Sequence, residues 1–203
     1  AGIARYLLEK FPPDNTTHHV VIGFDGRHHS ETFARDTAQV LSGHGISGTL
    51  LPRMFPTPVL AFSVRELGAT AGVMITASHN PAEDNGYKVY FGGEDQGSQI
   101  IPPVDANIET HIQRVAHTET WSSIPRSTEL VSVIDGDLVE KYLMATLNSL
   151  QLTAPMEPAP TVVYTAMHGV GGETFLAAMA KAGFPKPHVV EQQFVPDPDF
   201  PTV

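Results

Sequence analysis

The sequence predicts an α/β fold: a mainly parallel mixed sheet flanked by helices, with the start of a second, similar α/β domain behind it. Three observations predict it. Short apolar runs of strand length alternate with segments whose apolar residues recur three and four apart. Turns rich in Gly, Pro, Asn and Asp separate the runs. The alternation then restarts after a proline-bearing stretch at 151–160. Repeated strand–helix units with short turns imply parallel strands joined by right-handed crossovers.

The elements follow in order. Ile3, Leu7, Leu8 and Phe11 mark one helix face, which Pro12-Pro13 end. His19–Phe24 (HVVIGF) reads as a buried strand. Ser30 stands where it can N-cap a helix over 30–42, with Phe33, Ala34, Ala38 and Leu41 facing inward and Gly43 and Gly45 closing it. Residues 48–51 form a second strand. Thr57 at the N-cap and Pro58 at N1 open a helix that ends near Gly68. Residues 71–76 (AGVMIT) and Tyr87–Phe91 (YKVYF) are the third and fourth strands, and Val104, Ile108, Ile112 and Val115 mark a further helix. The polar stretch 118–134 reads as a connection, and Leu138, Tyr142, Leu143 and Leu147 place a helix over 137–150. A strand at 161–165, a glycine turn, a helix over 173–182 and a strand at 188–191 then renew the pattern. The expected division is 1–150, a linker at 151–160, and the opening of a second domain at 161–203. No Met begins the chain, and it ends in a proline-studded loop, so a piece of a longer protein is expected.

Composition excludes several classes of function. The chain has 203 residues, 12 Lys and Arg against 22 Asp and Glu, and a net charge of −10, which speaks against nucleic acid or an anionic membrane as the partner. It has no Cys, so disulfides, thiolate zinc sites and cysteine nucleophiles are absent. The sequence contains no apolar stretch long enough for a membrane span and no visible signal peptide, which makes the cytoplasm the expected compartment.

The third strand runs into Thr76-Ala77-Ser78-His79-Asn80-Pro81, at the strand end where open α/β sheets bind ligands. Ser78 beside His79 pairs a hydroxyl nucleophile with a proton carrier or cation. Lys88, ten residues past the serine and just after the turn-forming Asn85-Gly86, is a point charge suited to phosphate. Period-two alternation puts Lys88 and Tyr90 on one face of their strand; Tyr87, Val89 and Phe91 are expected on the buried one. An ordinary polar strand-to-turn loop is the alternative reading.

Other motifs fail. Thr76 and Asn80 stand where a nucleophile elbow needs glycine, and no P-loop occurs. The turn Gly169-Val170-Gly171-Gly172 has N–H groups to offer an anion, but Thr174 replaces the last glycine of a dinucleotide fingerprint. The pairs His18-His19 and His28-His29 diverge on an extended chain. Asp135-Gly136-Asp137 reads as a helix cap rather than a metal site.

The run from Ser78 to Lys88, SHNPAEDNGYK, closely resembles the active-serine segment of the α-D-phosphohexomutases, whose pattern is T-[AG]-S-H-N-P followed by N-G-x-K. Gly23-Phe24-Asp25-Gly26-Arg27-His28-His29-Ser30, Thr57-Pro58, Met167-His168-Gly169-Val170-Gly171 and Pro196-Asp197-Pro198-Asp199-Phe200-Pro201 fall in the family's order, and Glu83 to Tyr90 leans toward its phosphoglucomutase/phosphopentomutase type. The resemblance spans essentially the whole chain. It implies a four-domain enzyme, of which this chain holds the first domain and the start of the second. It implies that Ser78 is phosphorylated and exchanges its phosphoryl group with a phosphorylated sugar (glucose or mannose) through a sugar bisphosphate, which also serves as activator. His79 and Lys88 are implied as phosphate contacts and proton carriers. Magnesium is implied as cofactor, with Ser78 as its one ligand here, because the D-x-D-x-D-R loop that would complete the cage is missing. The sugar-selecting and distal phosphate loops are missing too, so the missing C-terminal domains of the parent count as partners, and the fragment alone is expected to be inactive. A non-catalytic anion-binding α/β module is the alternative.

Overall fold

The computed structural model describes residues 1–11, 18–135, 137–150 and 159–203. The chain runs through α1 (Gly2–Lys10), β1 (His19–Phe24), α2 (Ser30–Gly43), β2 (Ser47–Leu50), α3 (Thr57–Glu66), β3 (Ala71–Ile75) and β4 (Tyr87–Phe91). It continues through β5 (Ser98–Gln99), α4 (Val104–Thr118), β6 (Val131–Val133) and α5 (Leu138–Leu150), then β7 (Val163–Tyr164), α6 (Gly172–Lys181) and β8 (His188–Val189). A six-stranded sheet has the order β5-β4-β3-β1-β2-β6, and β7 and β8 pair in parallel as a small second sheet. In the large sheet β1 pairs in parallel with β2 and β3, and β2 with β6, whereas β4 is antiparallel to both β3 and β5. This is the mixed, mostly parallel sheet that the alternation predicted, with a further small sheet behind it.

Layering follows from the apolar runs. Along β1, Val20, Ile22 and Phe24 join the core under α1, α2 and α4, while Val21 joins the core under α3 and α5. A parallel strand covered by helices on both faces has to be apolar at every position, which is why HVVIGF shows no polar alternation. Both cores are dry: Leu7, Ile22, Val59, Leu60, Val73 and Met74 are almost wholly buried.

Several local expectations are corrected. Ser30 does not cap α2: the N-cap is His29, with a left-handed φ of 62°, and the Ser30 hydroxyl donates instead to the Asp25 carboxylate. Phe33 is 38 % exposed, so of the four residues expected to face inward only Ala34, Ala38 and Leu41 join the core. Thr57 is the first residue of α3 rather than its cap, and the extended Pro56 precedes it. The polar connection 118–134 contains β6, whose Val131–Val133 pairs with Gly48 to Leu50. Serine and an exposed valine hide such a strand from any apolar pattern, since it lies at the sheet edge. In α1, Gly2 and Ala4 are buried along with Tyr6 and Leu7, because the helix lies so close to α4 that a Cβ on Gly2 would overlap Ile112. The Pro12-Pro13 stop, Gly136 and residues 151–158 of the linker lie outside the described residues.

Gly92 ends β4, donating its N–H to the Thr70 carbonyl. A Cβ there would stand 1.9 Å from the Ala69 carbonyl oxygen, in backbone that cannot yield cheaply. Gly92→Ala is expected to lower unfolding stability by about 1–3 kcal/mol, as overpacking does. Urea denaturation midpoints measure it, and a change within about 0.5 kcal/mol would show that the turn moves freely.

Candidate active site

The two loops that leave β1 and β3 meet at the C-terminal ends of these paired parallel strands. Register fixes this: Phe24 stands opposite Ile75, so residues 25–30 and 76–86 emerge side by side. Thr76 is buried and anchors the second loop, accepting the Ser78 N–H on its hydroxyl at 2.9 Å while its own N–H donates to the Gly86 carbonyl. Ser78 follows with a left-handed φ of 58°, a conformation uncommon outside glycine, and its side chain reaches solvent. Its Oγ lies 3.4 Å from His79 Nδ1, a long contact that leaves both groups free to engage a third.

Arg27 shapes this loop. Its Nη1 donates to the carbonyls of Pro81 (2.6 Å) and Asp84 (3.1 Å), and its Nη2 to those of Ser78 (3.0 Å) and Asn80 (2.7 Å). Its Nε has no hydrogen-bond partner and stands 3.5 Å from the Asp25 carboxylate, close enough for charge compensation alone. Asp25 in turn accepts the Arg27 N–H and the Ser30 hydroxyl on its Oδ1. Asn85 closes the ring, its amide donating to the His28 carbonyl and the Ser30 hydroxyl. The two loops are thus one hydrogen-bonded body.

Lys88 sits on β4 opposite Met74, next to the Ile75–Tyr87 pair at the same end of the sheet as Ser78. None of the ion pairs among the described residues uses it, so Glu83 and Asp84 do not hold it as a structural partner. The expected division of β4 into one open and one buried face is only half met. Val89 and Phe91 are buried on one side and Tyr90 on the other, while Tyr87 is 50 % exposed and donates to or accepts from the Thr37 hydroxyl. Burial grades along the strand toward its Phe91 end because helices cover both faces there.

The second sheet approaches the same place. Pro196 and Val170 pack against Gly26, Asp199 Oδ1 lies 2.7 Å from His28 Nε2, and the Phe200 ring lies 5.1 Å from the Arg27 guanidinium carbon. His168, left-handed at φ 58°, binds Thr202 Oγ1 through its Nε2, while its carbonyl accepts the Asp197 N–H. Among the described residues no group of three His, Asp or Glu could hold a metal ion. The residues present therefore do not fit a magnesium cage, and Ser78 would be a single ligand.

Residues 1–119 match the family model "Phosphoglucomutase/phosphomannomutase, alpha/beta/alpha domain I", and residues 140–203 match the corresponding domain II. The chain belongs to the phosphoglucomutase/phosphomannomutase family. It is 47 % identical over its full length to "Probable phosphomannomutase" of Haemophilus influenzae, covering 40 % of that protein. It is 36 % identical to phosphopentomutase of Mus musculus and 36 % identical to phosphoglucomutase of Staphylococcus epidermidis, again along its whole length, covering 34 % and 36 % of them. The chain thus spans little more than a third of these relatives. In fold it is similar to a phosphoglucomutase/phosphomannomutase family protein from Burkholderia thailandensis, with a TM-score of 0.71 at 22 % identity, over 99 % of this chain and 41 % of that one.

The family motifs Asp25 to Ser30 and Pro196 to Pro201 were visible in the sequence, but not what their residues do. An Arg between Gly and His gives no sign that it will be buried, and its four acceptors are backbone carbonyls that any sequence carries.

Arg27→Lys keeps the charge but cannot present a planar fork to four carbonyls. With charged hydrogen bonds contributing about 1.5–3 kcal/mol each, and not additively, a loss on the order of 3 kcal/mol is expected. Thermal and urea unfolding would register it, together with faster proteolysis within 78–84. Wild-type stability in the variant would mean that water satisfies these carbonyls equally well.

Proposed function

We propose that this chain is the serine-bearing part of a phosphohexomutase, which moves a phosphoryl group between the 1- and 6-positions of a hexose phosphate, glucose or mannose. Residues 1–150 would form its serine domain, 151–160 the connection and 161–203 the opening of the next domain. The observation that carries the reading is Ser78: an exposed hydroxyl at the C-terminal end of a central strand, on a loop whose backbone is fixed from beneath by a buried guanidinium. The family match supports it.

Phosphoryl transfer depends on positioning and charge neutralisation more than on covalent chemistry by the protein. In this reading Ser78 carries the phosphoryl group at rest. A sugar hydroxyl attacks phosphorus and gives its proton to a base, the role this reading assigns to His79, while the bond from phosphorus to Ser78 Oγ breaks and Oγ takes up a proton to become the free hydroxyl. The bisphosphate turns round and returns its other phosphate to Ser78. Lys88, which no ion pair among the described residues uses, neutralises charge on the transferring oxygens. Among the described residues Ser78 is the one that would contribute to holding magnesium, which would supply Lewis-acid chemistry when bound. The partners are then a phosphorylated sugar and the remaining domains of the parent protein.

In the full-length parent, incubation with a hexose 1,6-bisphosphate should add about 80 Da to Ser78, seen by intact mass and peptide mapping. Ser78→Ala should show neither the adduct nor mutase turnover, with unchanged stability. Turnover retained in the variant would remove Ser78 from the chemistry, and binding of phosphate without any adduct on the wild type would favour an anion-binding module.

Lys88→Met separates charge from scaffold, because it keeps the stem and removes the ammonium. A fall in kcat of about 10²-fold or more is expected, as for a lost transition-state contact, with the melting temperature little changed. An unchanged kcat in a folded variant would exclude Lys88 from the mechanism.

A further inference from the structure

We infer that Phe200 is a positioning residue for Ser78, acting from the second α/β unit through Arg27. The inference rests on the phosphohexomutase reading only for its kinetic consequence; its structural part stands apart. Phe200 holds a left-handed φ of 46°, a conformation that an aromatic residue adopts at a cost and glycine would adopt freely. Such strain at a loop marks a place where the side chain is needed there. The loop is built to impose it. The Phe200 N–H donates to the Asp197 carbonyl, its carbonyl accepts the Val203 N–H, and Asp197 is itself held by the His168 carbonyl.

What the ring meets is the Arg27 guanidinium, 5.1 Å from its centroid and within cation–π range. The same guanidinium donates, through Nη1 and Nη2, to the carbonyls of Ser78, Asn80, Pro81 and Asp84. The chain of contact is therefore continuous: ring, guanidinium, carbonyls, Ser78. Flanking contacts fix the approach, with Pro196 against Gly26 and Asp199 against His28. Arg27 Nε has no hydrogen-bond acceptor and only the Asp25 carboxylate at 3.5 Å for charge compensation. An apolar π-face on the guanidinium plane supplies attraction without offering a competing acceptor that would draw the fork away from the loop.

The test uses hydrogen exchange and kinetics together. The amides of Ser78, Asn80 and Asp84 each donate within the serine loop and so report its order. In Phe200→Leu, which keeps apolar volume and loses the π-face, exchange at these amides should quicken about threefold to tenfold, while β1 and β3 stay protected. Phe200→Tyr, which keeps the face, should restore the slow rates. In the full-length parent the same Leu variant should lower kcat roughly 10-fold with KM little changed, and Tyr should recover it. Exchange that quickens only within 163–203, or a serine loop unaltered in the Leu variant, would overturn the inference. Absence of mutase turnover in the wild-type parent would sink the functional reading while leaving the exchange result to decide this one.

Discussion

With 5 % of its surface exposed, the Arg27 guanidinium has lost most of its hydration and has to be compensated from inside the protein. Removing such an ion from water costs several kcal/mol, so the groups around it are not free to choose their conformation. Four carbonyls turn inward to meet it, from Ser78, Asn80, Pro81 and Asp84. A loop whose carbonyls point down has its side chains turned elsewhere, and here the Ser78 hydroxyl is turned to solvent. The left-handed φ of Ser78 follows from the same demand: one residue has to reverse the backbone so that its carbonyl reaches Nη2. The exposed hydroxyl is thus a consequence of a buried cation.

Sheet topology makes that contact possible. Parallel pairing of β1 with β3 puts both C-terminal ends on one edge, and the register of Phe24 with Ile75 sets the two loops at the same height. The antiparallel return of β4 then brings Lys88 back to that edge, which a parallel crossover could not do across the eleven residues 76–86. The same return leaves β4 as a strand whose Tyr87 end lies open and whose Phe91 end is covered.

Strand and helix positions were legible because burial on both faces demands apolar runs, and His19–Phe24 and Tyr87–Phe91 have the bounds that the sequence suggests. What escaped the pattern shares one physical cause. β6 is held by backbone pairing to β2 at an edge, the α2 start is set by Ser30 turning to Asp25, and Arg27 is satisfied by carbonyls. Each depends on partners distant in sequence or on main-chain groups that carry no residue identity. Ser78, His79 and Lys88 could be proposed from the sequence for the opposite reason. Their chemistry resides in the side chain, and a resemblance of eleven consecutive residues carried it.

The cations at this edge divide their work, and under the proposed function the division explains how an acidic chain could present a phosphate site. Arg27 is permanently charged and planar, and all of that is committed inward, so it contributes rigidity and little field to solvent. Lys88 carries a compact charge with no ion pair among the described residues, and His79 and His28 are exposed on the loops that leave β3 and β1. A net charge of −10 belongs to the whole surface, whereas a doubly charged phosphoryl group responds to the few groups within about a Debye length of 8–10 Å. Exchanging the two roles would fail on geometry. A lysine beneath the loop could not satisfy four carbonyls in one plane, and an arginine at position 88 would bring a fork suited to clamping a phosphate where a transferring group has to leave. Under the proposed function the positions of the two residue types therefore follow from the separate tasks of holding the loop and releasing the phosphoryl group.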